Sequence, residues 1–257
     1  MIKRTFPLIF LLLPLFYVSA QQQDAGLIMS KSRDLSLISS MNATINLSIS
    51  EKNGATRNRM ITMITKSYPD GLEKRLIRFV EPADVRGTSM LVLDNKDKAD
   101  EMWIYLPALK KTRRIVSSEK GKSFMSSEFS NADMSSPTLT DFKHRHLDKS
   151  GTENTWIIES IPENEKIADE YGYSRKISYL MKDKNQIQKM ELYNFDNELF
   201  KTIEIKSFHP FQDGKYMIKN MIALNHITGR KSEILFSNIK DQVSVDDSFF
   251  TVQNLER

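Results

Sequence analysis

The sequence predicts a mainly β, α+β fold: one strongly curved antiparallel sheet of about ten or eleven strands, with an N-terminal helix and a short lid helix. Three observations carry this. Apolar and polar residues alternate with period two from about Met41 almost to the C-terminus. The alternating runs are separated by short turn signals, which join antiparallel neighbours. Helical periodicity is confined to one stretch near the start, so no βαβ crossover is available. With too little helix to cover a flat face, so large a sheet is expected to twist and curl around its own apolar side into a half-closed barrel.

Asp24 to Ile38 reads as the helix, with Asp24 as N-cap and Leu27, Ile28, Leu35 and Ile38 as its apolar stripe. Ala43, Ile45, Leu47 and Ile49 then alternate with polar residues before the hairpin signal Asn53-Gly54. The return strand runs from about Arg57 to Lys66, and Tyr68-Pro69-Asp70-Gly71 is a second turn. Strands follow at Glu73 to Val80, Thr88 to Asp94 and Met102 to Leu106, with a polar turn over 95–100 and a basic turn over Lys110 to Arg114. Residues 117–141 break the alternation, and Ser135 to Phe142 is the expected short helix. A long irregular stretch inside a compact domain is often functional. Strand pairs resume at 143–147 with 156–160 and at 175–181 with 187–194. They continue at 200–208 and at 216–227 with 233–239.

Lys3 and Arg4, the apolar stretch Phe6 to Val18 and the small residues of Val18-Ser19-Ala20 read as a secretory signal cleaved after Ala20. The alternative, a membrane anchor, needs ~20 apolar residues, more than this run supplies. Residues 1–20 are thus expected to be a signal peptide and 21–257 one domain, delivered to the periplasm. Loss of Lys3 and Arg4 lowers a formal net charge that is only +4. Small charge and export both disfavour a nucleic-acid partner.

The chemistry of an enzyme is missing. Cysteine is absent, which excludes a thiol nucleophile, a disulfide scaffold and a thiolate zinc site. His144 and His146 share a strand face but lack a third ligand; His209 and His226 have no evident partner. Gly121-Lys122-Ser123 ends like a phosphate loop without its first glycine or its strand-to-helix setting. No G-x-S-x-G occurs. Asp246-Asp247 reads as a polar turn before Phe249, and the sequons at Asn42 and Asn46 lie on a strand. No catalytic residue, metal site or cofactor is expected. Methionine is plentiful, including Met60, Met63, Met90, Met102, Met125, Met134, Met217 and Met221. It either fills an irregular core or lines a surface adaptable to varied apolar ligands. Lys110, Lys111, Arg113 and Arg114 form either a solvated turn or a docking patch for an acidic protein or anionic head groups.

Three segments carry a family resemblance: Phe79 to Leu91 (FVEPADVRGTSML), Met102 to Ile115 (MWIYLPALKKTRRI) and Phe124 to Met134 (FMSSEFSNADM). They resemble hallmark segments of the LolA-like outer-membrane lipoprotein-sorting proteins. In the third, Ser126 stands where the family has Gly, Glu128 where it has Asp, and Asn131-Ala132 where it has Tyr-Glu. Val245 to Thr251 is similar to the family's closing motif.

The resemblance implies a half-barrel closed by helices around an apolar cavity. It also implies carriage of lipid or lipoprotein acyl chains towards the outer membrane, and no catalytic residues. Candidate lining residues are Leu47, Met63, Met90, Trp103, Tyr105, Phe124, Met125 and Phe129. The turn around Gly87 and residues 117–141 are the candidate lid. Implied partners are an inner-membrane exporter of the RND or ABC class and an outer-membrane acceptor. Separately from the resemblance, a monomer is expected, although the sequence itself does not decide between monomer and dimer. The competing function is a non-enzymatic accessory subunit of such an exporter, its cavity filled by packed side chains. An outer-membrane barrel fails because Lys, Glu and Asp punctuate nearly every strand.

Overall fold

The computed structural model describes residues 23–95, 100–136, 138–147 and 153–257. The expected signal peptide lies outside them. Helix α1 spans Ala25–Ser36, and the Asp24 carboxylate accepts the Leu27 N–H at 3.0 Å as its N-cap. Its buried face is Ala25, Ile28, Met29 and Ser32. The expected stripe is therefore corrected: Leu27 is exposed and Ile38 lies past the helix end. The spacing i, i+3, i+4, i+7 of the buried set is the ordinary helical face.

The first six strands are β1 (Ser40–Ser50), β2 (Thr56–Ser67), β3 (Glu73–Glu81), β4 (Ser89–Asp94), β5 (Glu101–Leu106) and β6 (Lys111–Ile115). After a crossover come β7 (Phe142–His146), β8 (Thr155–Pro162), helix α2 (Glu165–Tyr171), β9 (Arg175–Met181) and β10 (Gln186–Tyr193). The last three are β11 (Leu199–Pro210), β12 (Tyr216–Asn225) and β13 (Lys231–Asp241). All thirteen form one antiparallel sheet in the order β6-β5-β4-β3-β2-β1-β13-β12-β11-β10-β9-β8-β7. The chain starts at the middle of the sheet, meanders out to β6, jumps to the far edge at β7 and meanders back until β13 pairs with β1.

That topology explains the irregular stretch. Residues 116–141 must cross from one sheet edge to the other, so they cannot alternate as a strand. Of their described residues, Phe124, Phe129 and Met134 lie against the concave face and join the main core. Their backbone groups pair internally instead: Phe124 N–H donates to Phe129 O at 2.7 Å and Asn131 N–H to Lys122 O at 2.9 Å. Met125 and Ser126 turn in the left-handed region at φ 50° and 64°. Ser126 is therefore strained at the position where the family's segment has Gly. Among the described residues of 135–142 the expected short helix does not form; Leu139–Asp141 is a single 3-10 turn, followed by β7. The second α-helix is α2, which the alternation masked. Asn164 caps it and Gly172 ends it at φ 77°. Gly121 packs on that end so closely that a Cβ would stand 2.8 Å from Gly172 N. The crossover and α2 thus meet backbone to backbone.

The register sorts the apolar residues into two faces. Ala43, Met63, Ile77, Met90 and Ile104 lie opposite one another along β1 to β5 and face the main core. The next row, Ile64, Leu76, Leu91 and Trp103, faces the other way. It is covered by the C-terminal segment through Phe250 and Leu255. Arg78 donates to Asn254 O at 2.7 Å, and Lys66 and Tyr68 both bond Asp247 Oδ1, at 2.7 and 2.6 Å. Asp247 is thus spent on fastening this segment, in keeping with a polar turn.

The β6 edge is basic. The expected basic turn is in part a strand: Lys110 alone turns at φ 46°, and Lys111 to Arg114 lie on β6. Charged side chains on a short edge strand also guard it against pairing with another sheet.

Candidate functional site

Two adjoining cavities occupy the concave face. The smaller, about 210 Å³, is walled by β1, β2, β3, β12 and β13 and includes Ile45, Met63, Ile77, Met217 and Phe236. The larger, about 260 Å³, lies under α1 against β9 to β12 and includes Met29, Phe129, Met190, Leu192 and Ile203. Ser36, Asp133, Ser135, Ser136, Ile218 and Met221 line both. The crossover segment 133–136 therefore forms part of their common wall. Met63, Met134, Met217 and Met221 line the smaller cavity, and Met29, Met190 and Met221 the larger. Several of the abundant methionines are thus cavity wall, not filler.

Of the eight expected lining residues, Met63 and Phe124 line the smaller cavity and Phe129 the larger. Leu47 and Met90 are fully buried in the surrounding core, and Met125 packs at its margin, but none of the three lines a cavity. Trp103 and Tyr105 are corrected: they belong to the convex cluster beneath the C-terminal segment. Alternation put them on one face together, but not on the concave one. The lining residues of β9 to β11 and Arg33 of α1 were not among the expected ones, while Met217 and Met221 of β12 were named only as methionines that fill a core or line an adaptable surface.

The cavity walls carry buried charge. Arg75 pairs with Glu73 and donates to Met134 O, fixing the crossover to β3. Lys201 Nζ stands 3.2 Å from Asp133 Oδ2, fixing it to β11. Burial pushes the Asp133 carboxyl up, but Lys201 and hydrogen bonds from Ser130 outweigh it and hold it below its usual range. At the crossover tip, Glu128 meets Arg230 Nη1 at 3.0 Å and Asn225 Nδ2 at 2.8 Å, and Arg59 donates to Met125 O.

Asp94 is 2% exposed; its Oδ2 accepts the Ser136 N–H at 2.9 Å while Oδ1 has no hydrogen-bond partner. Burial raises its pKa from 3.8 to about 8, with Arg75 opposing and Glu73 and Asp100 adding. The folded protein therefore keeps a proton that the unfolded chain releases. Stability on this account is full below the unfolded value near 4 and falls as pH rises towards about 8. Asp94→Asn, which keeps an acceptor for Ser136, is expected to flatten that fall. Calorimetric Tm profiles of both proteins across this window check it; parallel profiles would refute it.

Lys110, Lys111, Arg113 and Arg114 are all exposed on the β6 edge, flanked by the exposed apolar residues Leu109 and Val116. Arg113 is partly engaged, donating to Glu119 Oε2 at 2.7 Å. His144 bonds Ser160, His146 Nε2 lies 2.6 Å from Gln23 O, and His226 Nε2 lies 2.7 Å from Thr202 Oγ1. Among the described residues no group of three or more His, Asp or Glu is placed to hold a metal ion. None of their helices is long and apolar enough to cross a membrane.

A family model described as an uncharacterized protein family matches residues 71–257. No curated protein matches the chain. Among solved structures, the chain is similar to a domain described as an outer membrane lipoprotein-sorting protein from Vibrio parahaemolyticus. The identity is 26%, the match covers 91% of this chain and 98% of that one, and the TM-score is 0.82. A DUF1329 family protein from Desulfovibrio piger is also similar, at 26% identity over 90% and 97% of the two chains, with a TM-score of 0.81. A LolA superfamily protein from Nitrosomonas europaea shares the fold at 16% identity over 88% and 97%, with a TM-score of 0.69.

Proposed function

We propose a carrier function from the premise that this chain belongs to the family matched over residues 71–257 and shares its fold with outer-membrane lipoprotein-sorting proteins of the LolA-like kind. The chain holds lipid or lipoprotein acyl chains in its concave cavities and delivers them across the periplasm. Residues 1–20 direct its export, and 21–257 act as one carrier domain.

The supporting observation is the pair of adjoining, methionine-rich cavities behind the crossover. An acyl chain in water is disfavoured by ~0.8 kcal/mol per CH2, and a wall of Met, Ile and Phe removes that cost without demanding one chain shape. Release requires the common wall to move, and the crossover is the element to move it. It is held by side chains, the buried Phe124, Phe129 and Met134 and the polar contacts of Arg75, Lys201 and Arg230, and not by a strand ladder. An environment-sensitive fluorescent fatty acid tests the reading. Saturable, stoichiometric emission enhancement is expected; no enhancement at any protein concentration would contradict it.

The basic β6 edge is the proposed docking surface for an acidic face of an envelope partner. Reversing Lys110, Lys111, Arg113 and Arg114 to Glu is expected to weaken capture of that partner and leave probe uptake unchanged. Unaltered capture would return these residues to edge protection alone.

A further inference from the structure

Lys176 is a charge in the wall of the larger cavity that no acidic group among the described residues pairs. It sits on β9, between Ser160 of β8 and Leu192 of β10, and its side chain turns to the concave face. It is 9% exposed and lines the cavity. Among the described residues it makes no ion pair or hydrogen bond; its closest provision is the Phe142 ring, 5.3 Å from Nζ. Buried lysines are almost always paired, because an unpaired ammonium in an apolar wall is costly.

The surrounding charges do not supply the missing partner. Asp133, the one carboxylate lining this cavity, is already bonded to Lys201 and to the Ser130 N–H. Arg33 of α1 lines the same cavity, and its Nε is buried without a hydrogen-bond partner. The cavity therefore presents two cationic groups with donors to spare, set in a wall of Met, Ile, Leu and Phe. Burial also holds the Lys176 ammonium below the usual lysine range, with Asp133 opposing and Lys201 adding. An incoming anion would relieve that penalty.

We propose that the larger cavity binds an amphiphile with an anionic carboxylate or phosphate head, its head on Lys176 and Arg33 and its chain running past Met190 towards Met221. This rests on the carrier reading and adds the polarity of the cargo. Met221 lines both cavities, so the smaller one adjoins the far end of that course.

The test compares palmitate with its neutral alcohol, on wild type, Lys176→Met and Arg33→Gln, by isothermal titration. A charge-assisted contact predicts that wild type binds palmitate about tenfold or more tighter than the alcohol. Lys176→Met should bring palmitate down to the level of the alcohol and leave the alcohol unaffected. Arg33→Gln should show the same loss in smaller measure, and it keeps the test open if Lys176→Met fails to fold. Equal wild-type affinities, or a folded Lys176→Met that keeps its preference, would overturn the head-group assignment while leaving the carrier intact. Failure of wild type to bind either probe would overturn the carrier reading itself. Inorganic phosphate serves as the head-only control. Palmitate binding that phosphate fails to displace supports the amphiphile; tight binding of phosphate alone would overturn it in favour of a free anion.

Discussion

Phe129→Ala is expected to destabilise the protein by about 3–5 kcal/mol, the usual cost of emptying a buried aromatic site. Phe129 is 1% exposed and sits where the crossover meets the concave wall. Its carbonyl accepts the Phe124 N–H and its own N–H bonds the Ser127 hydroxyl, so the ring anchors a small hydrogen-bonded finger. Phe124 packs beside Phe79, 5.8 Å between ring centroids, and extends the anchor to β3. Typical domains have only about 5–15 kcal/mol in all, so the loss is a large fraction. Urea titration monitored by far-UV circular dichroism reads it. A loss below about 1 kcal/mol would mean that the crossover is not packed into the core as described.

Met221→Trp is expected to lower acyl-chain affinity by about tenfold or more, because Met221 lines both cavities and the larger ring fills their junction. The site is partly open, so the added volume displaces ligand more than protein. Trp103→Ala is the control. Its ring lies on the convex side under the C-terminal segment, so uptake of a fatty-acid probe should stay at the wild-type level while stability falls. The pattern that contradicts the cavity assignment is the reverse: normal uptake in Met221→Trp and lost uptake in Trp103→Ala.

Much of the fold was legible because period-two alternation survives in nearly every strand. In β1, Met41, Ala43, Ile45, Leu47 and Ile49 are all buried. Alternation shows which residues share a face, but not which face is concave. Here both faces of β3 to β5 are apolar, because the segment around Phe250 and Leu255 covers the outer one. That is why Trp103 and Tyr105 were expected in the cavity. The crossover was legible only as a break in pattern; its role follows from β6 and β7 lying at opposite sheet edges, which is long-range information. Helix α2 did carry a local signal in Asn164 and Gly172, with Ile167, Ala168 and Tyr171 on helical spacing. Lys176 read as one more charge punctuating a strand. Its place shows only once Ser178 and Leu180, on the same face, are seen to be buried.

The most direct test of the central claim is native mass spectrometry, with solvent extraction, on protein purified from the periplasm without detergent. The account predicts a reproducible added mass that extraction resolves into an acylated lipid or lipopeptide. A clean unliganded mass, from protein that then takes up no fatty-acid probe, would contradict it.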